Sequence, residues 1–149
     1  MSKNNPGASI VAGLIPLGSV GVEIGVWDGD SSVEFLARCS HLHLVDPWPG
    51  RTAQYEKVRL RFAGKPVTIH RATSEVFFAT FGGLVDWVYI DGLHDYETVR
   101  RDLIAARHIL KPGGVIYGDD YGKKGGVAEA VDEIYPNRRL LGLSQYAIS

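Results

Sequence analysis

Cysteine is all but missing from this chain: Cys39 is the only one among 149 residues. An internal disulfide and a thiolate zinc cluster are thereby excluded, and Cys39 is expected to be buried as a small apolar residue. Long apolar runs are missing too. None reaches the ~20 residues that cross a bilayer as a helix. Met1-Ser2-Lys3-Asn4-Asn5-Pro6 lacks the apolar core of a signal peptide, so a cytoplasmic protein without membrane contact is expected. Neither sign of charge dominates: 16 Lys and Arg against 17 Asp and Glu leave a net charge of −1, without the basic face that nucleic acid recruits. The densest basic run, Arg59-Leu60-Arg61, reads as a solvated helix face. No G-x-S-x-G elbow and no P-loop is present.

Hydrophobic residues make up 45% of the chain, enough for one domain that buries roughly two-thirds of its unfolded surface. No repeat, low-complexity tract or linker divides it. Residues 1–149 therefore read as a single domain, with a short segment over 1–19 and a core over 20–149.

That core is organised around Val20-Gly21-Val22-Glu23-Ile24-Gly25-Val26-Trp27-Asp28-Gly29-Asp30-Ser31-Ser32. Apolar residues at 20, 22 and 24 alternate as a strand, and Gly25 to Gly29 reads as a tight turn. Ser31 or Ser32 is a candidate cap for a helix opening on Val33. Such a turn lets backbone approach a ligand and leaves free N–H groups at the helix start. In an open α/β sheet it borders the ligand crevice. A nicotinamide-dinucleotide fingerprint would need glycines at 25, 27 and 30, where Trp27 and Asp30 interrupt it.

Periodicity predicts the other elements. A short helix over 8–15 precedes the first strand, and a helix over 32–39 follows the turn. Strands are expected at 42–45, 67–69, 87–90 and 115–117. Helices are expected at 53–62, from a Ser74 cap, at 95–110 and at 126–135. The strand Trp87-Val88-Tyr89-Ile90 is apolar on both faces, as a buried parallel strand should be. Segments 139–142 and 145–148 flank a turn near Ser144 and read as an antiparallel hairpin at the sheet edge. Alternating strands and helices imply an α/β fold, a doubly wound, mostly parallel seven-stranded sheet closed by that C-terminal antiparallel hairpin.

Such a sheet opens the carboxyl ends of its strands on one edge, and carboxylates collect there. Glu23 lies in the first strand, Asp46 ends the second, Asp91 the fourth, and Asp119-Asp120 the fifth. Asp46 is a turn former or, standing 21 residues after Gly25, an acceptor for ribose hydroxyls. Asp91, Asp119 and Asp120 are either solvated or share a cation that relieves their repulsion. All-oxygen ligands favour Mg²⁺, Ca²⁺ or Mn²⁺ over zinc. His43 inside a strand and His41, His70 and His108 at element ends read as structural or solvated. Trp48 and Tyr121 follow strand ends, either lining a pocket or packing.

In order along the chain, Glu23-Ile24-Gly25, Val45-Asp46, Asp86-Trp87-Val88-Tyr89-Ile90-Asp91-Gly92, Leu110-Lys111-Pro112-Gly113-Gly114 and Gly118-Asp119-Asp120-Tyr121 resemble the motifs of class I S-adenosylmethionine-dependent methyltransferases. More narrowly, YIDGLHDYETVRRDL and LKPGGVIYGDDY are similar to the small-molecule O-methyltransferases of the macrocin type. The 28-residue step from Asp91 to Asp119 is similar to the metal-site interval of the catechol type. The resemblance spans about residues 18–149.

The resemblance implies a Rossmann-like fold, S-adenosylmethionine as cofactor, a divalent cation with Mg²⁺ foremost, and O-methylation of a small hydroxylated acceptor. It places the methionyl end of the cofactor at Glu23, Gly25, Trp27 and Gly29, with Asp91 beside it. Ribose falls on Asp46, and adenine near Ala72, Thr73 and Ser74. It makes Asp91, Asp119 and Asp120 metal ligands and His94 the catalytic base. The chain departs from the pattern in places: Trp27 stands for a motif glycine, Leu93 for the carboxylate base of the macrocin type, and Asp120 for an Asn of the catechol type. Only about 19 residues precede the first strand, a short acceptor-side cap. The alternative is a non-catalytic S-adenosylmethionine-binding module, or a subunit that a partner completes. Homo-oligomer formation is expected to cover Ile10, Val11, Leu14 and Ile15.

Overall fold

The computed structural model describes residues 5–149. The absence of a signal-peptide core over residues 1–4 lies outside the described residues. The chain runs α1 (Pro6–Ala12), β1 (Ser19–Ile24), α2 (Asp30–Leu36), β2 (Cys39–Val45), α3 (Thr52–Arg61), β3 (Val67–His70), α4 (Ser74–Thr80), β4 (Val85–Ile90), α5 (Tyr96–His108), β5 (Leu110–Gly118), α6 (Val127–Ile134), β6 (Arg139–Gly142) and β7 (Gln145–Ile148). The strands form one sheet in the order β3-β2-β1-β4-β5-β7-β6. From β3 to β5 all pairings are parallel, and β7 pairs antiparallel with both β5 and β6. This is the Rossmann-like doubly wound sheet with its C-terminal antiparallel hairpin. Among the described residues no helix is long and apolar enough to cross a membrane.

Two apolar cores lie on opposite faces of the sheet. One joins α1, α2 and α3 to Leu42, Leu44, Trp87 and Tyr89; the other joins α4, α5 and α6 to Val22, Ile24, Val88 and Ile90. The period-2 alternation of β4 thus feeds both cores, which is why Trp87 to Ile90 are apolar on both faces. Phe35 of α2 meets the Trp87 ring edge-on at 5.5 Å and the Tyr89 ring at 4.8 Å. Gly21 in neighbouring β1 makes room for that indole: a Cβ there would lie 2.0 Å from the Trp87 ring.

Some local readings change. Neither Ser31 nor Ser32 caps α2. α2 already opens at Asp30, so Gly29, which has no side chain to offer, takes the N-cap position at φ +78°, and the Ser32 hydroxyl turns inward to Glu23. Thr73, not Ser74, caps α4, its hydroxyl oxygen accepting from the Val76 amide at 3.3 Å. α5 stops at His108, since Leu110 already pairs with Val85 and β5 reaches back through Pro112-Gly113-Gly114. Cys39 is half-buried, and partial burial pushes its thiol up to about 11. Arg61 is no solvated residue: it donates to the Asp28 carbonyl at 2.9 Å and to Asp30 Oδ1 at 2.7 Å, clamping the start of α2 onto α3.

Candidate functional site

β1 ends at Ile24, and Gly25 turns the chain at φ +87°. A Cβ at Gly25 would lie 2.1 Å from the Asp91 carbonyl oxygen, so the backbone arriving from β4 demands this glycine. The turn beyond it is held from the neighbouring strand. Asp46 Oδ2 accepts from the Val26 and Trp27 amides at 3.0 and 3.1 Å, and its Oδ1 accepts from the Trp48 amide at 2.7 Å. The fully buried Trp48 indole then donates to the Trp27 carbonyl at 2.9 Å. These bonds fix Trp27 at φ +55°, a left-handed conformation that costs a non-glycine residue about 1 kcal/mol. That is how a tryptophan stands where a motif glycine was expected. Its ring is half exposed, with the Arg51 guanidinium 4.1 Å above it.

A cleft of about 1050 Å³ opens between this turn, the end of β2, the start of α4 and α5. That volume suits a cofactor carrying a nucleoside. Of the residues assigned to the cofactor, Gly25, Trp27, Asp46, Thr73, Ser74 and Asp91 line the cleft, while Glu23, Gly29 and Ala72 do not. Glu23 lies beneath the turn, 1% exposed, accepting from the Ser32 hydroxyl. Burial, and then the charges of Asp91 and Asp46, raise its carboxyl well above the usual range against the pull of Ser32. Gly29 faces the Phe62 ring instead, 2.8 Å from where its Cβ would be.

At the Asp91 edge of the cleft, whose lining includes none of His94, Asp119 and Asp120, β4 and β5 end together: the Asp91 amide donates to the Ile24 carbonyl at 2.8 Å and the Asp119 amide to the Ile90 carbonyl at 3.2 Å. Here Asp91, His94 and Asp120 bring one donor atom each within 4.8 Å of one another. His94 Nε2 stands 2.7 Å from Asp120 Oδ2 and 3.8 Å from Asp91 Oδ1. Lys123 Nζ lies 2.7 Å from Asp120 Oδ1. Asp119 is outside this trio. Its Oδ1 accepts from the Asp120 amide at 2.5 Å and from the Ser144 hydroxyl, and so braces Asp120 at φ +64°. His94 therefore occupies the place among the converging donors that Asp119 was expected to hold. Burial first, then Asp119 and Asp120, push the Asp91 carboxyl up to about 8, with Lys123 pulling the other way. Acids so crowded gain from a proton or a cation.

Several contributors went unread in the sequence. Lys123 sits one helical step past Asp120 in a glycine-rich loop, a spacing that could have suggested the pair. Ser144 and Asp102 carried no local signal, because their partners Asp119 and Ser74 are distant in the chain. Trp48 and Tyr121 pack rather than line the cleft; the Tyr121 hydroxyl donates to Asp132 at 2.8 Å. His41, His43 and His70 form a half-buried cluster between β2 and β3, with His43 Nδ1 3.1 Å from His70 Nε2.

Residues 22–121 match the family described as "Methyltransferase domain". No curated protein matches the chain. Among solved structures, the O-methyltransferase TomG from Streptomyces achromogenes, in complex with SAM, superposes with a TM-score of 0.72 at 15% identity, over 97% of this chain and 79% of that one. The N-methyltransferase NodS from Bradyrhizobium japonicum WM9 gives 0.71 at 18% identity, over 97% and 95%. Trm5b from Pyrococcus abyssi gives 0.62 at 16% identity over 94% of this chain, which spans only 45% of the length of that protein. At these identities the likeness is one of fold.

Proposed function

The chain belongs to the methyltransferase-domain family, as a class I S-adenosylmethionine-dependent methyltransferase, and we propose that it methylates an oxygen of a small hydroxylated acceptor with the help of a divalent cation. The observation that carries the proposal is the convergence of Asp91, His94 and Asp120 at the end of β4, where Asp91 also lines the cleft. The donor set fits a cation: two carboxylates and one imidazole within 4.8 Å, one carboxylate held against ionisation by burial and then by its acidic neighbours. The two carboxylates suit Mg²⁺ or Mn²⁺, and the imidazole nitrogen favours Mn²⁺ of the two.

S-adenosylmethionine supplies a methyl on positively charged sulfur, so transfer to oxygen leaves a neutral thioether. The cation would supply charge that lowers the pKa of the acceptor hydroxyl. The residues of the chain do the positioning. Gly25 and the Asp46-held turn fix the cofactor side, and Asp91 stands between the two halves of the site. The exposed Trp27 and Leu93 flank the mouth and offer apolar surface to a small organic acceptor. Net charge of −1 gives a polyanionic acceptor no attraction.

A second reading is favoured by the 2.7 Å His94–Asp120 contact and by Lys123, whose ammonium already pairs with Asp120. In it no cation binds, and His94 is a general base. With Nε2–H donating to Asp120, the lone pair lies on Nδ1, which takes the acceptor proton. The two readings use opposite nitrogens of one imidazole and exclude each other.

The test is methyl transfer to catechols, sugars and glycosides with Mg²⁺ or with chelator. Under the first reading chelator abolishes turnover, Mg²⁺ or Mn²⁺ raises the melting temperature by linkage, and Asp120→Asn removes that shift. Under the second, chelator is without effect and His94→Ala lowers turnover about 10²-fold or more. Full turnover by His94→Ala in the presence of chelator would defeat both.

A further inference from the structure

The histidines of β2 and β3 have no part in either reading above. β2 alternates: Leu42 and Leu44 enter the core beneath α1 to α3, so His41 and His43 stand on the opposite face. In the register of β2 with the edge strand β3, His43 lies beside Thr68, and His70 follows two residues later on the same face. α4 packs over the pair, with the Phe81 ring edge-on 5.0 Å from His43 and the Phe77 ring edge-on 4.9 Å from His70. Both histidines are half-buried, and His43 Nδ1 lies 3.1 Å from His70 Nε2. Burial first, then His41 and His70, pushes His43 down to about 4; burial, then His41, lowers His70 as well. Neutral imidazoles keep a lone pair for a metal.

Two ring nitrogens so close either share a proton or hold an ion between them. With metal–nitrogen bonds of about 2.0–2.1 Å, a tetrahedral pair of ligands needs about 3.3 Å between nitrogens, and a right-angled square-planar pair about 2.9 Å. The 3.1 Å separation falls between the two. We propose that His43 Nδ1 and His70 Nε2 bind a transition-metal ion of the Zn²⁺ or Cu²⁺ kind, with water in its remaining positions. Ligation requires the proton of each ring on its other nitrogen, Nε2 of His43 and Nδ1 of His70. The neighbouring His41 ring, 4.9 Å from that of His43, is engaged at Nε2 with Thr68 Oγ1 at 2.8 Å, so the ion draws two protein ligands. Mg²⁺ prefers oxygen and gains nothing from such a pair. The site is distinct from the trio of Asp91, His94 and Asp120: β1 lies between β2, which carries His43, and β4, which ends at Asp91.

Calorimetry of the full chain with Zn²⁺ tests this. His43→Gln should lose one equivalent of Zn²⁺ relative to wild type, or bind it at least about 10-fold more weakly, since even an outer-shell partner is worth that much. His70→Gln should do the same and serves alone if the first variant fails to fold. Asp120→Asn should keep this equivalent, whatever it loses at the other site. His108→Gln, on the exposed surface of α5, should match wild type. Electron paramagnetic resonance of Cu²⁺-loaded wild type should show a centre coupled to two imidazole nitrogens, where the trio offers only one. Zn²⁺ binding unchanged in the His43 and His70 variants, or lost in His108→Gln instead, would overturn the inference. So would a Cu²⁺ spectrum without the two-imidazole centre.

Discussion

The Ser32 hydroxyl donates to the Glu23 carboxyl across the β1–α2 junction, so the acid buried in β1 is met from the helix which that strand feeds. Burial keeps the Glu23 pKa well above the 4.5 of the unfolded chain. The folded state therefore binds this proton more tightly than the unfolded state. The associated stabilisation is complete below about pH 4.5 and is lost as pH rises through the raised value. Glu23→Gln keeps the shape and an acceptor for Ser32 but cannot ionise. Denaturant titrations of the two proteins should nearly coincide at the acid end, with the variant becoming relatively more stable as pH rises. Curves that stay parallel would count against a raised Glu23.

Asp46 bonds three backbone amides, those of Val26, Trp27 and Trp48. Asp46→Ala should leave the left-handed Trp27 turn without its clamp and weaken S-adenosylhomocysteine binding by about 10- to 100-fold, the scale of one or two charge-assisted bonds. Asp46→Asn retains one carbonyl oxygen and should fall between. Calorimetry gives the series directly, and equal affinity across it would mean that the turn holds its own shape.

Gly21 faces the Trp87 ring so closely that a methyl group has no room. Gly21→Ala should destabilise the fold by about 1–3 kcal/mol through overpacking. The denaturation midpoint should fall with an unchanged slope. A midpoint like that of wild type would show that the sheet yields more easily than the contact suggests.

Self-association is the fourth expectation, on narrower ground than the sequence offered. Val11 and Ile15 are already buried inside the protein, while Leu14, Leu140 and Leu143 remain exposed where α1 meets the edge strand β6. Sedimentation over a concentration series should show a dimer that Leu140→Asp with Leu143→Asp dissociates. A monomer at every concentration ends the proposal.

Much of the architecture was legible because its signals are local. β4 is apolar on both faces, and α5 carries Val99, Leu103 and Ala106 on one stripe behind an Asp95 cap. The misreadings came from partners far along the chain. Ser32 has the chemistry of a helix cap, but α2 already opens at Asp30, and its hydroxyl meets the buried Glu23, a polar group that would be costly to leave alone. Lys111-Pro112-Gly113-Gly114 reads as a loop, yet β5 spans it, because a register shift opposite Val85 and Trp87 absorbs the irregular stretch. At the site, three strand-end carboxylates were visible in the sequence. That Asp119 would turn to Ser144, leaving His94 to complete the trio, depends on where β7 lies in the sheet.

The contact between Gly25 and the Asp91 carbonyl ties together the turn assigned to the cofactor and the first of the three donor residues. Two ligands that settle on either side of such a joint each bear the cost of stiffening the same short piece of main chain. Whichever arrives first spares the other part of that cost, and the gain must be equal in both directions. The factor by which Mn²⁺ tightens S-adenosylhomocysteine would then be the factor by which S-adenosylhomocysteine tightens Mn²⁺.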